Sequence, residues 1–116
     1  MESKQNEAMP SNAPIVDVFR LLNDTPSHEQ WVALWAYAHE AMPAFVAFLE
    51  RKEARLHEVE KDVCLLLRLN VPIKQIVKLT NVSFQNLNLM RKRMLKKLYG
   101  MEGSGRDFDA KIRVQG

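Results

Sequence analysis

Apolar residues recur at intervals of three and four along most of the chain, which places them on one face of an α-helix. This spacing predicts a short helix over 15–22 and a longer amphipathic stretch from Ser27 to Leu49. Pro43 interrupts that stretch, and because proline removes a helical hydrogen bond, we expect a kink or a break near Met42. Alternation of apolar and polar residues, which marks half-buried strands, does not persist. The pattern therefore predicts an all-α fold.

The second half of the chain predicts three further helices, bounded by residues that favour helix ends. Asn70 and Gly100 suit the left-handed conformation that follows a helix, and Ser83 is a favoured N-cap. Phe108 and Ile112 indicate a last short helix that packs back on the others. The predicted organisation is a disordered tail (1–14), an N-terminal helical support (15–55), a helix-turn-helix unit (56–100), and a loop with the short C-terminal helix (101–116).

Positive charge is concentrated in one part of the chain. The net charge is +3, but the segment 71–99 holds seven lysines and arginines and no acid, so the remaining residues sum to −4. A block of one sign confined to one segment indicates a polyanionic partner. The helix over 83–99 also lacks the i,i+4 acid–base pairs that a purely structural surface helix usually carries.

Two short helices joined by a tight turn, the second of them basic, describe a helix-turn-helix. The major groove of duplex DNA is about 12 Å wide and admits one helix, so we expect the helix over 83–99 to enter it. Amides can pair with adenine, lysine with guanine, and leucine can touch a thymine methyl group. The predicted base contacts are Gln85, Asn88, Leu89 and Lys92. The predicted phosphate contacts are Lys74, Ser83, Arg91, Arg93, Lys96 and Lys97.

The segments LHEVEKDVC, NVPIKQIV, VSFQNL and MLKKL, which lie between Leu56 and Leu98, resemble the helix-turn-helix of LuxR/GerE-type proteins. Over residues 26–114 the chain more closely resembles one subgroup, the C-terminal DNA-binding modules of larger bacterial transcription regulators. The segments that carry this likeness are EQWVALW, RKRMLKKLYG and DFDAKIR. The resemblance implies a LuxR-like arrangement of three to four helices after a kinked amphipathic helix. It also implies sequence-specific binding of double-stranded DNA by a bacterial transcription regulator, of which this chain would be either one module or a short stand-alone relative. LuxR-type modules commonly dimerise, so a homodimer is a further hypothesis.

The sequence gives little evidence for a disulfide, a metal site or a catalytic group. Cys64 is the only cysteine and lies in an apolar run, so no intrachain disulfide can form and a buried thiol is expected. The three histidines are far apart in sequence, which argues against a metal site, and no glycine-rich phosphate loop or nucleophile motif occurs. We therefore expect no enzyme, no cofactor and no metal, and we expect a cytoplasmic protein that makes no membrane contact through this segment.

An alternative to DNA binding remains open. The aromatic stripe that runs from Trp31 to Leu49 is also compatible with a helical module that binds another protein. An exposed Trp35 and Phe48, together with Lys92 and Lys96 held in ion pairs, would favour that alternative.

Overall fold

The computed structural model describes residues 13–116, and within this range the protein is helical, with no strand. The predicted all-α class is confirmed. Most of the predicted disordered tail, residues 1–12, lies outside the described residues. The seven helices within residues 13–116 are α1 (Ala13–Leu21), α2 (His28–Ala41), α3 (Pro43–Leu49), α4 (Glu58–Arg68), α5 (Ile73–Thr80), α6 (Phe84–Tyr99) and α7 (Gly105–Ile112), and a 3₁₀ turn lies at Lys52–Ala54.

Helix α2 begins with the predicted capping box at Ser27. The backbone N–H of Gln30 donates to the Ser27 hydroxyl, and the Ser27 N–H donates to the Gln30 side chain. Helix α2 ends at Ala41, with Met42 as its C-cap, because Pro43 cannot continue its hydrogen bonds, and α3 departs from it at an angle of 113°. Of the two predicted outcomes, a kink or a break, the structure shows a break between two helices. No single helix within 13–116 is long and apolar enough to cross a membrane, although α2 and α3 taken together match such a span in length and composition.

The core is formed by residues from every helix. Helix α4 lies at its centre, since five consecutive residues from Val63 to Leu67 are fully buried. Helices α1, α2 and α3 cover one side with Phe19, Leu34 and Phe45, which are also buried. The N-terminal helices and the second half of the chain therefore share one continuous apolar core.

Helices α4, α5 and α6 follow one another through short turns. Asn70 and Asn81 adopt left-handed backbone conformations with φ of 62° and 57°, which an asparagine tolerates better than most residues. Three residues, Asn81 to Ser83, separate α5 from α6. The Gln75 side chain donates to the carbonyls of Phe19 and Leu22 and thereby fixes α5 to the end of α1.

Helix α7 packs against α6, as the sequence predicted for the last short helix. Its Phe108 and Ile112 are fully buried, and the Phe108 ring lies 6.2 Å from that of Tyr99 near the end of α6. The α7 N-terminus is capped by Ser104, whose hydroxyl accepts from the Asp107 N–H. This packing fixes the direction of α6 along much of its length.

Candidate nucleic-acid interface

Helix α6 has well-defined ends and one buried face. The Ser83 hydroxyl accepts from the Asn86 N–H at 3.1 Å, and Gly100 ends the helix with a φ of 65°. The buried face consists of Leu87, Met90, Arg91, Met94, Leu95 and Leu98. Five of these six residues are apolar and recur at helical spacing, which is why the helix packs in this orientation.

The opposite face of α6 is open to solvent. Positions three and four apart lie on the same side of a helix, so this face presents one continuous row of side chains. The row consists of Gln85, Leu89, Lys92, Arg93 and Lys96, all of which are exposed. Five of the predicted base and phosphate contacts thus lie on one accessible surface, which we call the α6 outer face.

The outer face carries three cations and no acid. Within the described part of the chain, neither Lys92 nor Arg93 forms an ion pair. Lys96 lies 3.1 Å from Glu102, but the two side chains are 62% and 86% exposed. Exposed pairs of this kind contribute only about 0 to 1 kcal/mol, so Lys96 can exchange Glu102 for another anion at little cost.

Arg91 does not lie where a phosphate contact requires it. Its side chain is buried, and its guanidinium donates to both carboxylate oxygens of Asp109 on α7, at 3.0 and 2.7 Å. Arg91 belongs to the buried face of α6, next to the apolar residues, and there it binds Asp109 of α7. The prediction that Arg91 binds phosphate is therefore replaced by a structural role, in which it joins α6 to α7.

Asn88 also forms a hydrogen bond with the Arg91 guanidinium. Its side-chain oxygen accepts from the Arg91 guanidinium at 2.6 Å, and the residue is half-buried at the edge of the outer face. Because the oxygen is held by Arg91, the amide N–H₂ group is oriented and remains available as a donor. Asn88 can therefore contact a base as predicted, but with its orientation fixed by the protein.

Lys97 is also engaged within the protein. Its ammonium donates to Glu60 on α4 at 3.0 Å, and the Glu60 carboxylate, only 2% exposed, also accepts from the His57 N–H. The sequence assigned Lys97 to phosphate, whereas the structure gives it the role of compensating a buried carboxylate. The fold thus brings together two residues that lie 37 positions apart in the sequence.

The two remaining predicted phosphate contacts lie at the start of α5 and at the start of α6. Lys74 is exposed in the first turn of α5. Ser83 is exposed at the N-terminus of α6, where its hydroxyl is already used as the cap. The free backbone N–H groups of the first turn remain suited to an anion.

An open groove of about 980 Å³ runs beside the N-terminal half of α6. One wall is formed by Phe84, Gln85, Asn88, Leu89 and Lys92, and the other by residues 103–106 at the start of α7. Phe84 and Arg106 line this groove, and neither was predicted as a contact. The charge count gave no sign of Arg106, because it lies outside the acid-free segment and beside Asp107.

Because Gly105 has no side chain, the start of α7 packs closely against the Arg91 guanidinium. A Cβ atom at Gly105 would lie only 2.7 Å from the guanidinium carbon of Arg91. Gly103 is similarly confined, since its Cβ would lie 2.5 Å from an Asp107 carboxylate oxygen. Gly103 and Gly105 thus serve α6–α7 packing, whereas Gly100 ends α6.

A second group of polar residues lies between α2 and α4. The Trp35 indole N–H donates to Asp62 at 2.8 Å, and the two line a shallow pocket with His39 and Glu58. Burial raises the pKa of Asp62 to about 6, against the lowering effect of the Trp35 hydrogen bond and with a smaller rise from the Glu58 charge. Within residues 13–116, no three metal-ligating side chains cluster.

The aromatic stripe and the cysteine mostly serve the core. Trp31 lies edge-on to Phe19 at 5.0 Å, and Phe48 lies 5.6 Å from Tyr99. Cys64 is fully buried, and this burial raises the pKa of its thiol. Most of the aromatic stripe therefore packs against the core of the protein.

Comparison of the chain with protein-family models, with curated proteins and with solved structures yields no match.

Proposed function

We propose that this chain binds double-stranded DNA in a sequence-specific manner by placing α6 in the major groove. The observation that carries the proposal is the α6 outer face, an exposed row of one amide, one leucine and three cations that contains no acid. Base edges in the major groove offer acceptors, donors and thymine methyl groups, which such a row can match. The flanking phosphates match the cations.

The rigid support of α6 favours the same function. A side chain reads a base only when it is held close to its bonding geometry, and loosely attached helices do this poorly. Here α6 is fixed by the Arg91–Asp109 pair to α7 and by the Lys97–Glu60 pair to α4. Both pairs lie away from the outer face, so they orient the helix without occupying its binding surface.

The resemblance to LuxR/GerE-type proteins adds a biological role to the proposal. It implies a bacterial transcription regulator, either as this chain alone or as one module of a larger protein. Helix-turn-helix proteins commonly bind as dimers to two half-sites about 34 to 36 Å apart, so we also propose a homodimer on DNA. Sedimentation of the protein with duplexes carrying one or two half-sites tests the dimer separately from DNA binding.

The decisive experiment is selection from a random duplex library, followed by titration of the selected duplex at several salt concentrations. Lys92 is assigned to a base edge, so four exposed cations remain as candidates for phosphate contacts after Arg91 and Lys97 are set aside, namely Lys74, Arg93, Lys96 and Arg106. If all four contact phosphate, log K falls against log salt with a slope of about −3.6, since each neutralised phosphate contributes about −0.9.

Two variants sharpen this test. The double substitution Arg93→Gln and Lys96→Gln should make the slope less negative by about 1.8, because two neutralised phosphates are lost. Lys61→Gln is the matched control, since Lys61 lines the pocket beside Trp35, away from the groove, and should leave the slope unchanged. Failure to select any preferred duplex at low or moderate salt would refute the proposed function.

The protein-interaction alternative predicts a different result. Lys96 is paired, as that alternative requires, but Lys92 is not, and both Trp35 and Phe48 are half-buried. The structure therefore supplies only one of its expected features. A protein that bound no duplex yet lost a partner on substitution of the exposed Val32 in α2 would support it.

A further inference from the structure

Two large apolar side chains are exposed at the N-terminal end of α6. Phe84 is the first residue of the helix and is 57% exposed, and Leu89 is 54% exposed. Isolated apolar residues are common on protein surfaces and need no explanation. These two are different because both line the groove that also contains Gln85, Asn88 and Lys92.

The position of this pair limits what it can meet on a duplex. In helix-turn-helix proteins the N-terminal residues of the second helix approach the base edges, whereas later residues lie nearer the backbone. Phe84 and Leu89 fall within the first six residues of α6. On bound DNA they would therefore face the floor of the major groove rather than the phosphates.

The floor of the major groove offers one apolar feature among the four standard bases, the C5-methyl group of thymine. All other exposed atoms there are donors, acceptors or ring edges. An aromatic ring and a branched aliphatic chain cannot form hydrogen bonds with those atoms, and placing them there would leave the base polar groups without water. Contact with thymine methyl groups buries these apolar side chains without leaving polar groups of the bases unpaired.

We infer that Phe84 and Leu89 are specificity-determining residues that contact thymine methyl groups, so that each half-site contains thymines at the positions they meet. The inference rests on the proposed function and deepens it. Gln85, Asn88 and Lys92, which lie beside them, then read polar base edges next to those thymines. Phe84 thereby gains a role that neither charge nor hydrogen bonding would suggest.

Replacing thymine by deoxyuridine tests the inference directly, because this change removes the methyl group and preserves base pairing and the O4 acceptor. Each thymine of the selected duplex is replaced in turn, and the affinity of the protein is measured at constant salt. We expect a loss of about fourfold for each contacted methyl group, which is the factor for one methyl-sized apolar contact. Thymines outside the contact should show no change.

Substitutions in the protein assign each methyl group to its side chain. Phe84→Ala and Leu89→Ala should each weaken binding to the thymine duplex and abolish the uracil effect at one position while keeping it at the other. Leu21→Ala is the matched control, because Leu21 is a still more exposed apolar residue, on α1 outside the groove. Urea denaturation checks that all three variants keep the stability of the parent, as expected for exposed sites.

The possible failures are distinguishable. If a duplex is selected but no uracil replacement weakens binding, the methyl contact is refuted and the proposed function stands. If both alanine variants bind the selected duplex as tightly as the parent, the apolar pair serves another ligand, such as a protein partner, and the inference is refuted. If no duplex is preferred, the proposed function itself fails.

Discussion

The guanidinium of Arg91 and the carboxylate of Asp109 form two parallel hydrogen bonds between α6 and α7, with both side chains more than 90% buried. This bidentate geometry is the strongest form of an arginine–carboxylate contact. It orients the face of α6 and also holds Asn88 through a third hydrogen bond. The position of a predicted base contact is therefore set by a residue of the C-terminal helix.

Removal of one partner should be costly. Asp109→Ala leaves a buried guanidinium without its carboxylate, and we expect a loss of about 3 to 5 kcal/mol in the free energy of unfolding. Urea denaturation followed by circular dichroism measures it. The control replaces both partners, with Arg91→Met and Asp109→Leu together, and should be far more stable than the single variant. A single variant within about 1 kcal/mol of the parent would show that the pair is not buried in solution.

Much of the fold could be predicted from the sequence because local signals determine it. Helical spacing, the serine caps at Ser27 and Ser83, and the left-handed Asn70 and Gly100 all depend on residues close in sequence. The break at Pro43 was predicted in position but not in size. The 113° angle depends on how α2 and α3 pack on the shared core, which no local signal contains.

The candidate site was less predictable, because the role of a charge depends on its distant neighbours. Arg91 and Lys96 are alike as residues in a basic run, yet one is buried against Asp109 and the other is exposed. Lys97 meets Glu60, which is 37 residues away. A sequence shows such cations as equivalent, and only the packing of α6 against α4 and α7 separates structural cations from free ones.

Lys96 and Lys97 form a matched pair of neighbours with opposite expected phenotypes. Lys97→Ala should lower the free energy of unfolding by about 1 to 3 kcal/mol, because Glu60 is left buried without its cation. Lys96→Ala should change stability by less than about 0.5 kcal/mol, because its pair with Glu102 is exposed. Urea denaturation of the two variants in the same buffer makes the comparison.

The same two variants should differ in DNA binding. Lys96→Ala is expected to make the salt slope of the selected duplex less negative by about 0.9, through the loss of one phosphate contact. Lys97→Ala is expected to leave the slope unchanged wherever the variant remains folded. Equal effects of the two substitutions on both stability and slope would contradict the distinction drawn between them.

Asp62 should make stability fall as the pH rises. Its pKa is raised from 3.8 to about 6 in the folded protein, so the native state binds the proton more tightly than the unfolded chain does. The contribution of this group to stability is therefore greatest below about pH 4 and is lost as the pH rises through about 6. Urea denaturation at intervals from pH 4 to pH 8 measures this dependence.

Asp62→Asn is the control for that titration. Asparagine keeps an oxygen that can accept from the Trp35 indole but has no proton to lose. The variant retains all three histidines, so the difference between the two pH profiles isolates Asp62. In the parent, the indole N–H resonance of Trp35 should also shift with a midpoint near pH 6, and this shift should disappear in the variant. Superimposable stability profiles would refute the raised pKa.

Gly105→Ala tests the close contact between the start of α7 and Arg91. Alanine within a helix usually stabilises it by up to about 1 kcal/mol relative to glycine. At Gly105 we expect the opposite sign, a loss of about 1 to 3 kcal/mol, because the new Cβ would lie 2.7 Å from a guanidinium that Asp109 prevents from moving. Urea denaturation gives the sign. The same substitution placed in the Arg91→Met, Asp109→Leu background should cost less, since the charged pair that holds the side chain against Gly105 is gone. Stabilisation by Gly105→Ala in the parent protein would mean that Arg91 does not lie against Gly105.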